Sequence, residues 1–196
     1  MSCDGRSFEF ARKIEKTEEG ITYSVDPSTM EVAKAYPKAQ LPKYMTKNAA
    51  GADFFCAQTV IVPSIWKSLV KAFSACMNCY STDDIKDILK PTLVHTGIKS
   101  KMYDDEVLEI YNRSSGPKKL GLILSNGVGI IDADYYENED NDGEIGFAFY
   151  NVLPFDIELH AGERIGQGIF KKVLRPTVGL VVADEERKGG FGSTGR

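Results

Sequence analysis

The sequence is short of the groups that carry covalent or metal chemistry. Its only histidines, His95 and His160, stand apart from each other and from the cysteines. That leaves no cluster with zinc-ligand spacing, no nucleophile paired with a nearby base and no nucleophile-elbow motif. The cysteines are Cys3, Cys56, Cys76 and Cys79, and Cys76-Met77-Asn78-Cys79 is a lone C-x-x-C without a second pair. A zinc site needs that second pair, so the four read as reduced, buried thiols. No apolar run is long enough to span a bilayer, and Met1-Ser2-Cys3-Asp4-Gly5-Arg6 lacks the apolar core of a secretory signal, so a cytoplasmic protein is expected. Nor is there a basic excess. With 24 basic and 28 acidic residues the net charge is −4, which argues against a protein that coats nucleic acid. A small anion held by a few local cations and backbone amides stays compatible.

What is present suits one globular domain over residues 1–196, with 42% hydrophobic residues available for a core. Most of the chain alternates with strand period. Phe8 and Phe10 alternate, as do residues 21–25, and a short N-terminal hairpin is expected. Residues 49–57 lead from small residues into an apolar strand carrying one acid, Asp53. Val60-Ile61-Val62 is a strand that stops at Pro63. The period then changes: Ile65, Trp66, Leu69, Val70, Phe73, Cys76 and Met77 recur at helical spacing behind Pro63-Ser64. Ser81-Thr82-Asp83-Asp84 caps a second helix that ends before Pro91. Residues 64–90 are therefore a two-helix insertion in an all-β chain, and the Trp66 stripe reads as core or subunit packing. Strands resume at residues 92–98 and 107–111.

The central stretch is Leu120-Gly121-Leu122-Ile123-Leu124, Ser125-Asn126-Gly127, then Val128-Gly129-Ile130-Ile131-Asp132-Ala133-Asp134-Tyr135. Asn-Gly between two apolar runs is a strong hairpin cue, so residues 128–132 should return as the second arm. Glycines in that arm leave backbone open to a flat ligand. Asp132 would close a buried apolar arm, where a carboxylate is hydrogen-bonded or functional. Upstream, Asn112-Arg113-Ser114-Ser115-Gly116-Pro117 crowds donors suited to phosphate. Downstream, Asn138, Asp140, Asp142 and Gly143 mimic the start of a calcium loop. Its twelfth position is Phe149, where a bidentate Glu is required, so residues 137–142 read as a solvated acidic loop. Residues 144–152 and 178–182 are further strands. The Gly-rich tail, residues 185–196, reads as a mobile lid with a ring, hydroxyls and cations.

Together these pieces resemble the trimeric dUTPase family. Its five motifs stand here in family order: Ala50-Gly51-Ala52-Asp53; Arg113-Ser114-Ser115-Gly116; Gly129-Ile130-Ile131-Asp132-Ala133-Asp134-Tyr135 with Gly143-Glu144-Ile145; Gly162-Glu163-Arg164-Ile165-Gly166-Gln167; and Gly189-Gly190-Phe191-Gly192-Ser193-Thr194-Gly195. The resemblance runs from about Lys38 to Arg196, apart from the helical insertion and the acidic loop. It implies an all-β, jelly-roll-like fold, a homotrimer with shared active sites, and Mg2+-dependent hydrolysis of dUTP to dUMP and pyrophosphate. By the same resemblance Asp132 activates water, Tyr135 packs on the deoxyribose, and the backbone around Gly129 and Ile131 reads uracil beside Asn126. Arg113, Ser114, Ser115 and Gln167 contact phosphate, and Asp53 holds the metal through water. Phe191 stacks on the base, with Gly192, Ser193 and Thr194 closing over the phosphates. Hydrolysis of this kind needs positioned water and charge neutralisation more than covalent groups, so the shortage of histidine and cysteine is no obstacle.

Three departures from the family pattern stand out. Residues 137–142 lengthen the step from Tyr135 to Gly143-Glu144. Glu186 occupies the usual place of the lid arginine, leaving Arg187 as the expected cation. The insertion at 64–90 has room for a protein partner. Two other readings follow: a dCTP deaminase of the same fold, for which Glu144 is the candidate acid, and a nucleotide-switched regulator acting through the insertion.

Overall fold

The computed structural model describes residues 5–17, 20–24 and 34–178. Thirteen strands run through them: β1 (Ser7–Phe10), β2 (Ile14–Thr17), β3 (Gly20–Tyr23), β4 (Ala52–Phe55), β5 (Val60–Val62), β6 (Thr92–His95), β7 (Ile98–Lys101), β8 (Glu106–Asn112), β9 (Leu122–Leu124), β10 (Val128–Asp132), β11 (Gly146–Asn151), β12 (Ile157–Leu159) and β13 (Arg164–Lys172). Two α-helices, α1 (Ile65–Met77) and α2 (Thr82–Ile88), interrupt them between β5 and β6. The fold is all-β and jelly-roll-like. No helix is long and apolar enough to cross a membrane among the described residues.

Two sheets make the core. One runs β10-β8-β13-β4 and the other β6-β11-β9. Phe147 of β11 reaches across to Phe54 of β4, ring centroids 5.6 Å apart, and stacks on Phe149 at 6.0 Å. Phe8 of β1 meets Phe54 edge-on at 5.4 Å. Leu108, Ile98, Val94 and Ile145 fill the remaining space, fully buried. The Gly-rich run at 162–168 leads into β13, the longest strand. It carries glycines because a Cβ on Gly166 would stand 2.0 Å from Phe147 Cε1, and one on Gly168 would stand 2.7 Å from Phe54 Cε2.

Several expectations are corrected. Residues 122–124 and 128–132 are strands, but they do not pair. β9 ladders with β11 and β10 with β8, so the Asn-Gly turn carries the chain from one sheet to the other. The turn itself is local, with Gly127 N–H donating to Leu124 O at 3.0 Å. Leu120 belongs to a π-helical turn, Gly116–Leu120, closed by Gly121 at φ 60°. Residues 92–98 are two strands broken at Gly97, whose φ of 66° turns the chain from β11 toward β1. The N-terminal hairpin is β2–β3, and β1 pairs instead with β7.

The helices stand where the period places them. Ser64 caps α1 by accepting from Trp66 N–H, and Ser81 forms a capping box with Asp84 on α2. The apolar stripe of α1 is not core, however. Trp66 is 58% and Phe73 70% exposed, while the residues α1 buries are Ala72 and Ala75. Cys76 and Cys79 are exposed thiols as well, and only Cys56 among the described cysteines is buried. The loop at 137–142 is not simply solvated, since Asn138 and Asp142 point inward and are buried. The strand expected at 178–182 lies, past Val178, outside the described residues.

Candidate active site

Two groups of the expected residues form, one past the end of β8 and one along its neighbour β10. The first lies where β8 ends. Arg113 leaves the strand into a turn closed by Gly116 N–H donating to Arg113 O at 2.9 Å. Its Nε sits 3.5 Å from Asp53 Oδ2, and its Nη1 donates to Arg164 O at 3.3 Å. Arg164 Nη1 donates to the same Asp53 oxygen at 3.1 Å. Gln167 of β13 stands directly across from Asp53 of β4 and from Tyr111 of β8. Gly51 leaves it room, because a Cβ there would be 3.1 Å from Gln167 Oε1. Ser114 and Ser115 follow Arg113 at the rim. Two guanidinium groups meet on one carboxylate with an amide across the ladder, a donor set suited to an anion, in which Asp53 orients the arginines.

The second group lies along β10. A Cβ on Gly129 would meet Ile110 Cγ1 at 2.4 Å, so this backbone is bare by packing necessity, and Asn126 Nδ2 lies 3.5 Å from the same point. Ile131 packs against the core from β10. Asp132 is exposed, not buried as expected, because β10 is an edge strand and Asp132 begins the turn Ala133–Tyr135. Tyr135 is 5% exposed, with its hydroxyl donating to Glu144 O at 3.0 Å.

Asp132 pairs across the ladder with Val107, whereas Arg113 lies just past the other end of β8. Six residues of strand correspond to about 20 Å. One chain therefore does not bring Asp132 to its own Arg113 cluster. Arg187, Phe191, Gly192, Ser193 and Thr194 lie outside the described residues.

Two residues have no role assigned from sequence, Arg164 and Asn141, and Asn138 enters there only through the rejected calcium-loop pattern. Arg164 could have been suspected, since a buried strand acid such as Asp53 needs a cation. Asn141 gives no signal beyond composition. Among the described residues no group of three or more His, Cys, Asp or Glu side chains could hold a metal ion. The charges nearest Asp53 are cationic, which suits a metal arriving on a phosphate and separated from Asp53 by water, and not a bare ion ligated by protein.

Glu144 is fully engaged. Gly97 N–H donates to Oε1 at 2.9 Å, and His95 Nδ1 lies 2.9 Å from Oε2. Tyr36 stacks on the His95 ring at 5.1 Å, and burial pushes the Tyr36 hydroxyl up to about 12.

The sandwich thus carries two arginines gathered on Asp53 and, on the edge strand β10, a stretch of backbone kept bare by Ile110. The model of the dUTPase family matches residues 79–195. A deoxyuridine 5′-triphosphate nucleotidohydrolase from Lactococcus lactis subsp. lactis is 37% identical over 167 residues, spanning 84% of this chain and 95% of its own. One from Hydrogenobaculum sp. is 31% identical, spanning 84% and 96%. The solved dUTPase of Streptococcus mutans superposes with a TM-score of 0.55 at 30% identity, covering 84% of this chain and 98% of its own. The dUTPase of Staphylococcus bacteriophage 80alpha shares the fold at 16% identity, with a TM-score of 0.55 and coverage of 98% and 99%. The chain belongs to the dUTPase family.

The Glu144 bond raises the His95 pKa above its ordinary 6.5. A folded-state pKa raised above the unfolded one contributes stability that is full below about pH 6.5 and is lost as pH rises through the folded value. Thermal unfolding followed from pH 6 to 8 should show Tm falling with pH, and His95→Gln should flatten that slope. An unchanged slope in the variant would remove His95 as its source.

Proposed function

We propose that the protein hydrolyses dUTP to dUMP and pyrophosphate, limiting uracil entry into DNA and supplying dUMP for thymidylate synthesis. The observation that carries this reading is the separation of Asp132, exposed opposite Val107, from the arginine cluster past the other end of β8, with the bare backbone of Gly129 between them. The uracil edge meets main-chain N–H and C=O groups between Asn126 and Ile131. Tyr135 closes the sugar side against a 2′-hydroxyl. Arg113, Ser114, Ser115 and Gln167 neutralise and orient the phosphates. Asp132 accepts a proton from a water that attacks the α-phosphorus. The bond from that phosphorus to the bridging oxygen breaks, and pyrophosphate leaves. Asp53 would help hold a magnesium ion through water, and the ion would supply further charge neutralisation to the triphosphate. The tail carrying Arg187, Phe191, Gly192, Ser193 and Thr194 serves as the lid.

Because about 20 Å of strand separates the two halves in one chain, the complete site is shared between copies. We take the assembly to be a cytoplasmic homotrimer. Engagement of both Glu144 oxygens by Gly97 and His95 leaves that side chain unsuited to act on a cytosine ring, which disfavours the deaminase reading.

A second reading concerns the insertion. Trp66, Val70, Phe73 and Met77 form an exposed apolar face on α1, which favours a regulatory protein partner there. That face is remote in role from hydrolysis, so Val70→Glu with Phe73→Glu should leave kcat/KM for dUTP within about twofold of wild type. A large loss of turnover would tie the insertion to catalysis instead.

Pyrophosphate release should be fast with dUTP and slow with dTTP, dCTP and UTP. Asp132→Asn should lower it by about 10²- to 10⁴-fold, the usual worth of a general base. Binding of dUTP without turnover by the wild type would end the enzyme reading. Mixing tests the shared site: Arg113→Ala and Asp132→Asn should each be inactive alone, yet an equimolar co-refolded mixture should regain about a quarter of wild-type sites. No recovery would place both halves in one chain.

A further inference from the structure

The loop at 137–142 is built around inward-facing polar groups, not around solvent. Asp142 accepts from Arg12 backbone N–H at 2.7 Å and from Arg12 Nε at 3.0 Å, and Lys99 Nζ stands 3.1 Å from its Oδ2. Burial pushes the Asp142 carboxyl up, but Arg12 and Lys99 more than offset this and hold it below its ordinary range. Lys99 is 2% exposed and also meets Glu137 at 2.9 Å. The loop is thereby pinned at both ends, Glu137 and Asp142. Both are non-glycine residues in left-handed backbone, with φ of 57° and 59°. Such conformations persist where the surroundings over-determine them, and they concentrate at functional sites.

The pinned loop delivers two asparagines to Tyr135. Asn141 Nδ2 donates to Tyr135 Oη at 2.7 Å, and Asn138 Nδ2 donates to Tyr135 O at 2.9 Å. Asn141 Oδ1 accepts from Asn138 Nδ2 at 2.9 Å and from Gly143 N–H at 3.2 Å, so the two amides brace each other. Tyr135 Oη completes the set by donating to Glu144 O at 3.0 Å. The phenol thus has both an acceptor and a donor fixed, and its ring has one place to stand.

We propose that Asn141, braced by Asn138 and the Asp142–Arg12–Lys99 clamp, is a positioning residue that sets the Tyr135 ring and with it the discrimination between 2′-deoxy and 2′-hydroxy nucleotides. This rests on the reading of Tyr135 as the group facing the sugar. Catalytic displacement of even 1 Å is costly, so a ring released by one bond is enough to admit a hydroxyl.

The experiment is a double-mutant cycle read as the ratio of kcat/KM for dUTP to that for UTP, with the ratio of dUDP to UDP affinity as a readout independent of turnover. Asn141→Asp keeps shape and the acceptor at Gly143 but replaces the donor facing Tyr135 with an acceptor. Asn141→Ala deletes it. Either should lower both ratios by about tenfold or more, and neither should lower them further in a Tyr135→Phe background, where the partner hydroxyl is gone. Ratios unchanged by both Asn141 variants, or equal losses with and without the Tyr135 hydroxyl, would overturn the proposal. Tyr135→Ala separates the two levels. If it preserves the ratios, Tyr135 does not face the sugar. If it abolishes them while the Asn141 variants do not, only the positioning role fails.

Discussion

The constraint on which the structure depends is the exchange of side chains for rings at the centre of the sandwich. Phe147 and Phe54 occupy the volume that side chains on Gly166 and Gly168 would need. Interiors pack too densely to hold both, so the glycines are required wherever the rings are. This fixes β13 between β8 and β4, and so sets Gln167 across from Asp53 and Tyr111. The anion cluster inherits its geometry from an apolar fit on the opposite face of the same strand. A strand with two interior glycines is weak by propensity, and here packing outweighs that.

The same fact explains what was legible in the sequence and what was not. The period change at Ile65 and the serine caps gave both helices, because those signals are local. Apolar alternation gave most strands. The longest strand was missed, because its glycines answer to Phe54 and Phe147, more than 100 and nearly 20 residues away along the chain. The Asn-Gly turn was read correctly as a reversal and wrongly as a hairpin. A turn fixes direction, whereas the ladder partner is chosen by the whole sheet. Gly97 was read through as strand because nothing local marks a change of sheet.

For the site, motif residues mapped to two coherent groups, but their separation along β8 was invisible until the register was known. Asp132 was expected at the end of a buried arm and is exposed, because its strand lies at a sheet edge. The acidic run at 137–142 was read from charge alone. Charge count gives no hint that Asp142 turns inward to Arg12 and Lys99, since both partners come from segments distant in sequence. The α1 stripe had correct helical spacing, yet spacing says only that a face is apolar, not what covers it.

Arg12 lies 130 residues before Asp142, and its backbone and side chain together satisfy that buried carboxylate. The link between β1 and β2 is consequently part of the support beneath the 137–142 loop, although no family motif resides there. Trimming the chain past Arg12 would leave that enclosed carboxylate with Lys99 alone and several acceptor sites unfilled, a costly arrangement for a buried charge. The left-handed turns that depend on it would relax, and the damage would be felt at Tyr135 and not at the cut end.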